Sequence, residues 1–243
     1  MTRVVVLVPA RYESSRFPGK PLAELLGKPM LHHVCTRALS AKNVDEVVIA
    51  TDSPLIRAEM QETGFRVEMT SPDHPTGTDR IAEAAERVEG DIILNVQGDE
   101  PMINPASIEA LVEVFFKDEN LDYAQLVKRI SDPADLVDNN VVKVALDQSS
   151  NILFYSRAPI PYPKVRVEYD AHKHIGVYGF RRNFLQTFTT LKPGRLEKIE
   201  GIEQLRAIEH GYRIRGVETE HDTISVDTPG DLEDARRAMM AGG

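Results

Sequence analysis

From Arg3 to Pro9 the chain is almost unbroken apolar sequence (RVVVLVP), followed at once by a polar loop. A run of that length without alternation reads as a parallel strand buried on both faces. Pro29–Leu39 then places Met30, Leu31, Val34, Cys35, Ala38 and Leu39 at helical spacing. Glu46–Thr51 predicts a strand. Ser53–Thr63 predicts a helix with Ser53 as N-cap and Pro54 in the first position, where its missing N–H costs nothing. Arg66–Met69 follows as a short strand, Thr78–Val88 as a helix and Asp91–Val96 as a strand. Pro105–Phe116 is a helix with Ile108, Leu111, Val112 and Phe115 on one face. Strand and helix alternate, which predicts an α/β fold of three layers, a mostly parallel central sheet covered on both faces.

The second half changes rhythm. Tyr123–Ile130, Val141–Asp147 and Asn151–Tyr155 predict three strands in close succession, the last two joined by a turn at Asp147–Asn151. A loop rich in Pro and Tyr precedes a strand at His174–Phe180. Helices are expected at Arg182–Leu191 and Leu196–His210, the latter with an apolar stripe of Leu196, Ile199, Ile202 and Leu205. A strand at Arg213–Glu218, a short one ending at Val226 and a helix from Pro229 complete the pattern. With 243 residues and no long linker, one domain over 1–243 is expected, with a smaller additional β/α lobe around 123–211.

Composition narrows the function. No apolar stretch reaches 18 residues, so no membrane helix is expected, and the N-terminus has no signal-peptide cleavage pattern. The single cysteine, Cys35, rules out an intrachain disulfide and a cysteine-built zinc site, and its apolar stripe makes it a core thiol. These features point to the cytoplasm. The net charge of -9 argues against a nucleic-acid partner. That charge is uneven: residues 1–28 hold Arg3, Arg11, Arg16, Lys20 and Lys28 against Glu13 and Glu24, a net of +3, leaving -12 for the rest.

The cationic loop "VPARYESSRFPGKPL" follows the first strand, and ligands of α/β sheets bind beyond the carboxyl ends of strands. Arg11, Arg16 and Lys20 with Gly19 suit a polyphosphate, although neither a Walker A loop nor G-x-G-x-x-G is present. The alternative is a solvated face. "NVQGDEP" sets Asp99 just past a buried strand, a position suited to magnesium, which takes hard oxygen ligands; the alternative is a Gly-Asp turn. In "SVDTPGDL", Thr228, Pro229 and Asp231 are explained by helix capping, whereas Asp227 is not and could pair with Asp99. "HPTGTDR" either reads a base through its backbone and Arg80 or simply caps a helix. The seven histidines lack H-x-x-x-H or H-E-x-x-H spacing, so zinc is not expected.

These stretches, with "ATDS", "YSRAPIPY", "KHIGVYGFR" and "LEKIEGIEQLRAIEHG", together resemble the 3-deoxy-manno-octulosonate cytidylyltransferase (CMP-Kdo synthetase) family, collinearly from Val4 to Asp234. The first motif alone would also fit CMP-sialic acid synthetases; NVQGDEP together with the IEQLR helix is more specific. The resemblance implies the nucleotide-diphospho-sugar transferase fold and transfer of CMP from CTP to the anomeric hydroxyl of Kdo. Pyrophosphate leaves, and CMP-Kdo serves lipopolysaccharide synthesis. It implies that Arg11, Arg16 and Lys20 hold the triphosphate, and that Ala10, Thr76, Gly77 and Arg80 contact cytosine. Asp99 and Asp227 would hold Mg2+, with Lys20, Arg11, Asp99 and Asp227 forming the catalytic group. Gln97, Arg157, His174, Tyr178, Glu203 and Gln204 would bind the sugar acid; by pattern alone, Glu203 and Gln204 are an exposed helix face. A homodimer is implied, with contacts from the 123–211 lobe. The 162–173 stretch varies in length and charge within the family. Competing readings are the same reaction on an amino-substituted Kdo or a sialic-type acid, a metal-dependent glycosyltransferase, and a non-catalytic nucleotide-binding regulator.

Overall fold

Strand β1 (Val4–Ala10) is buried along all seven residues. Its even-numbered side chains Val4, Val6 and Val8 enter one hydrophobic cluster, and Val5 and Leu7 enter another on the opposite face. Two-sided burial is why the run is continuously apolar. The computed structural model describes residues 2–13, 17–164 and 170–241; Arg16 and five residues of the 162–173 stretch lie outside them.

After β1 come a short 3-10 turn (Lys20–Leu22), the small hairpin β2 (Glu24–Leu25) and β3 (Lys28–Pro29), and α1 (Met30–Leu39). β4 (Glu46–Thr51), α2 (Pro54–Glu62), β5 (Arg66–Met69), α3 (Gly77–Ala85), β6 (Ile92–Val96) and α4 (Pro105–Lys117) follow. Ser53 caps α2 as its sequence predicts, accepting from the Ile56 N–H at 3.4 Å with Pro54 leading the helix. The second half holds β7 (Tyr123–Arg129), α5 (Pro133–Val137), β8 (Lys143–Leu146), β9 (Ile152–Ser156) and β10 (His172–Arg181). It ends with α6 (Arg182–Thr190), α7 (Arg195–Glu200), α8 (Leu205–Glu209), β11 (Arg215–Glu218) and α9 (Pro229–Ala241).

One sheet runs β11-β7-β10-β6-β1-β4-β5, with β8 and β9 attached beside β10. β6, β1, β4 and β5 are mutually parallel. β10 is inserted antiparallel between β6 and β7. The larger clusters on the two faces make the expected three layers. A smaller cluster of Leu25, Met30, Val226, Leu232 and Ala235 fastens α9 over the β2–β3 hairpin. Cys35 is fully buried in the core, and burial pushes its thiol pKa up.

Three expectations change. The single helix over Leu196–His210 is two short helices, because Gly201 adopts φ 64° and breaks the ladder; a left-handed residue ends a helix. The apolar stripe consequently does not hold: Ile202 and Leu205 are buried, but Ile199 is 66% exposed. No strand ends at Val226. That residue is buried in an irregular segment, and its N–H donates to the Asp99 carbonyl at 2.9 Å.

Candidate active site

The carboxyl ends of β1 and β6 lie side by side and carry Ala10-Arg11 and Gln97-Gly98-Asp99. Because β10 runs the other way, its early residues His174–Tyr178 arrive at the same end, with Val177 opposite Val96. Two adjoining cavities open there and share Gln97, Asp99 and Asp227. One, of about 460 Å3, is lined also by Ala10, Arg11, Lys20, Gly77 and Arg80. The other, of about 650 Å3, is lined also by Glu100, Lys173, His174, Tyr178 and Thr223.

Lys20 links the two carboxylates. Its Nζ lies 2.9 Å from Asp99 Oδ2 and 3.2 Å from Asp227 Oδ1. Asp227 is brought there by the start of α9. Thr228 and Asp231 cap each other reciprocally, and the Asp227 N–H donates to Asp231 Oδ2 at 3.0 Å. Capping accounts for Thr228 and Asp231, leaving the Asp227 carboxylate for the cavity. Asp99 and Asp227 thus offer two hard oxygen donors beside a cation-lined cavity. Among the described residues no larger cluster of His, Cys, Asp and Glu forms a metal cage. That donor set fits magnesium, which is commonly held by one or two carboxylates with phosphate and water completing its shell.

At the first cavity, Arg11 Nη2 donates to the His74 carbonyl. Thr76 caps α3, accepting from the Asp79 N–H at 3.1 Å. Arg80 is fully buried. Its Nη1 donates to Thr70 Oγ1 at 2.6 Å and lies 3.2 Å from Asp52 Oδ1. Burial lowers its pKa against the opposing pull of Asp52. Its Nε and Nη2 have no hydrogen-bond partner among the described residues. Two buried donors without acceptors are costly unless a ligand supplies them. Asp52 is a participant the sequence reading missed; "ATDS" contains it, at the end of a strand.

At the second cavity a relay orders the side chains. The Tyr155 hydroxyl donates to Gln125 Oε1 at 2.5 Å, which turns the Gln125 amide N–H toward His174 Nδ1 at 2.9 Å. Nδ1 therefore accepts, and the proton of the neutral ring belongs on Nε2. Burial, helped by the Arg157 charge, drops the His174 pKa to about 4. Gln204 is buried and hydrogen-bonds the hydroxyls of Tyr123 and Tyr178. Glu203 hydrogen-bonds Thr76 and Thr78, and burial raises its pKa to about 7. Neither is an exposed helix face: the Gly201 break turns both inward. Arg157 does not line either cavity. Its Nε donates to the Glu200 carbonyl at 2.9 Å and its Nη1 to the Asn139 carbonyl at 2.8 Å. Gln125 and Tyr155 were not singled out from sequence, because a polar residue inside a strand carries no local signal of what it will face, and Glu100 because the strand-end position was assigned to its neighbour Asp99.

A cytidylyltransferase family model matches residues 5–214. A 3-deoxy-manno-octulosonate cytidylyltransferase of Solibacter usitatus is 45% identical over 98% of this chain and 95% of its own. One of Syntrophobacter fumaroxidans is 48% identical over 95% of this chain and 94% of its own. The solved structure of a CMP:2-keto-3-deoxy-manno-octonic acid synthetase complexed with CTP superposes with TM-score 0.95 at 42% identity, covering 100% of both chains. Identity at that level over the full length, joined to a cation-lined cavity meeting a second cavity at paired aspartates, places this chain in the 3-deoxy-manno-octulosonate cytidylyltransferase family of CTP-dependent nucleotidyltransferases.

Proposed function

We propose that this protein transfers CMP from CTP to the anomeric hydroxyl of Kdo with the help of Mg2+, and that it does so at the two adjoining cavities. The observation that carries the reading is the meeting of Asp99 and Asp227 across Lys20 on the wall the cavities share. The smaller cavity receives CTP. Arg80 offers its unpartnered Nε and Nη2 nitrogens as donors, and the Gly77 end of α3 and Ala10 wall the base. Arg11 and Lys20 neutralise the triphosphate, with Lys20 exchanging carboxylate for phosphate partners. The larger cavity receives the sugar acid. His174 Nε2–H and the Tyr178 hydroxyl are fixed donors there, held by Gln125 and Gln204.

The anomeric oxygen forms a bond to the α-phosphorus and gives up its proton to water as the bond to the bridging oxygen of the leaving pyrophosphate breaks. Magnesium held by Asp99 and Asp227 would supply charge neutralisation for the triphosphate and would make the attacking hydroxyl more acidic. The protein supplies alignment: Gln97, on both cavity walls, stands between nucleotide and sugar. The acid sugar's carboxylate needs a cation, and Arg157 is proposed for it, with its grip on the Asn139 carbonyl given up on binding. The high identity to enzymes named for Kdo favours that sugar over an amino-substituted or sialic-type acid.

A homodimer in the cytoplasm, feeding lipopolysaccharide synthesis, is the setting proposed. It is supported by Leu153 on β9, which pairs only with β8 among the named strands, and by Ile199, 57% and 66% exposed. No helix among the described residues is long and apolar enough to cross a membrane. The test is pyrophosphate release from CTP with Kdo, in Mg2+ and in EDTA. Release that needs both Kdo and Mg2+ is expected. Equal release with a neutral sugar 1-phosphate, or in EDTA, would overturn the reading.

A further inference from the structure

Glu100 follows Asp99 directly, yet its carboxylate is occupied elsewhere. It is 3% exposed. Its Oε2 accepts from Thr223 Oγ1 at 2.7 Å, and the Gly176 N–H donates to the same carboxylate. Gly176 lies within a bulge, where the four-residue step from His174 to Tyr178 on β10 matches a two-residue step on β7, from Val127 to Gln125. The ladder with β7 is broken there, and Glu100 supplies an acceptor that it does not. The Gly176 carbonyl in turn accepts from the Gln97 N–H at 3.0 Å. A Cβ on Gly176 would stand 3.0 Å from Glu100 Oε1 and 3.2 Å from Gln97 Cγ, so the close approach depends on glycine. Three residues past Thr223, the Val226 N–H donates to the Asp99 carbonyl at 2.9 Å, and Asp227 comes next.

We infer that Glu100 is a positioning residue: it clasps Gly176 of β10 and Thr223 to the Asp99 turn and so sets the spacing of Asp99 and Asp227. The inference rests on the reading of those two aspartates as the magnesium carboxylates. A carboxylate buried beside two others is expensive unless hydrogen bonds hold it. Here those bonds join three separate stretches of chain that a pair of aspartates alone would leave free to drift. Partners behind the ligands of a metal site commonly change metal affinity by about 10–100-fold when lost.

The experiment is calorimetric titration of CTP, without sugar, in saturating Mg2+ and in EDTA. The ratio of the two affinities is the coupling between nucleotide and metal. Thr223→Val and Glu100→Gln are each expected to lower that ratio about tenfold. The EDTA affinity should stay close to wild type, and the melting temperature should fall only by the few degrees that one unmade buried hydrogen bond costs. Thr223→Ser, which keeps the hydroxyl, should retain the ratio, and the double variant should fall no further than the worse single. Asp99→Asn should collapse it; if it does not, the magnesium reading itself fails. If Asp99→Asn collapses the ratio while Thr223→Val leaves it at wild type, Glu100 does not act through Thr223 and the inference is wrong. It is equally overturned if the two losses multiply, or if they vanish once matched for melting temperature.

Discussion

Replacing Glu203 by Gln should make the protein more stable at alkaline pH and not at acid pH. The carboxyl is turned inward by the Gly201 break, and burial raises its pKa from 4.5 to about 7. A raised carboxyl pKa means that the folded state holds the proton more tightly than the unfolded chain. The associated stability is present below about pH 4.5 and is lost as pH rises toward 7 and beyond. A displacement of that size corresponds to about 3 kcal/mol at 1.36 kcal/mol per pH unit. The side chain keeps some solvent contact, which screens part of this, so roughly 1–2 kcal/mol is the expected gain for Glu203→Gln at pH 8.5. Gln keeps the carbonyl acceptor for Thr76 and Thr78 and resembles the protonated acid. Any packing cost is common to both pH values and cancels in the difference. Urea unfolding of wild type and variant at pH 5 and pH 8.5, without ligands, gives that difference directly. Parallel stability–pH curves for the two proteins would refute the buried-acid reasoning.

Arg157→Ala should raise the KM for Kdo at least tenfold while leaving the CTP Kd within about twofold, since a buried charge-assisted contact contributes on the order of 1.5–3 kcal/mol; an unchanged KM would assign the sugar's carboxylate to another cation, and Lys173 lines that cavity. Arg80→Met should lose most of the preference for CTP over UTP and purine triphosphates, because the buried Nε and Nη2 donors disappear; competition binding of the four nucleotides checks it. Gly201→Ala should cost about 1 kcal/mol in urea unfolding, through its φ of 64° alone, since nothing lies within 4 Å of an added Cβ; a gain in stability would contradict the helix break.

The strands and helices of the first half were legible because local physics decides them. β1 is buried on both faces and reads as an unbroken apolar run, and Ser53-Pro54 start α2 by capping chemistry within four residues. The break at Gly201 was harder to see. Glycine inside a helical pattern is tolerated or terminating according to what packs beside it, and here the turn delivers Glu203 and Gln204 to the interior. The missing strand before Asp227 has a similar origin: Val226 is apolar because it packs beneath α9, not because it joins a ladder.

Candidate site residues divide the same way. By itself the sequence determined a cationic loop after the first strand, an aspartate beyond another strand and a capped helix that leaves Asp227 without a capping role. Strand-end position and charge are local properties. Only the tertiary structure decided that Asp99 and Asp227 meet across Lys20, that Arg80 lies buried with two nitrogens unanswered among the described residues, and that Gln125 sets the His174 tautomer. It also turned Arg157 toward the Glu200 and Asn139 carbonyls instead of a cavity wall. Those are pairings between residues far apart in the chain. Gln125 reaches His174 because β10 pairs with β7, and the Asp99 turn lies beside the loop of Lys20 because β1 pairs with β6; no local pattern of residues encodes such a long-range register.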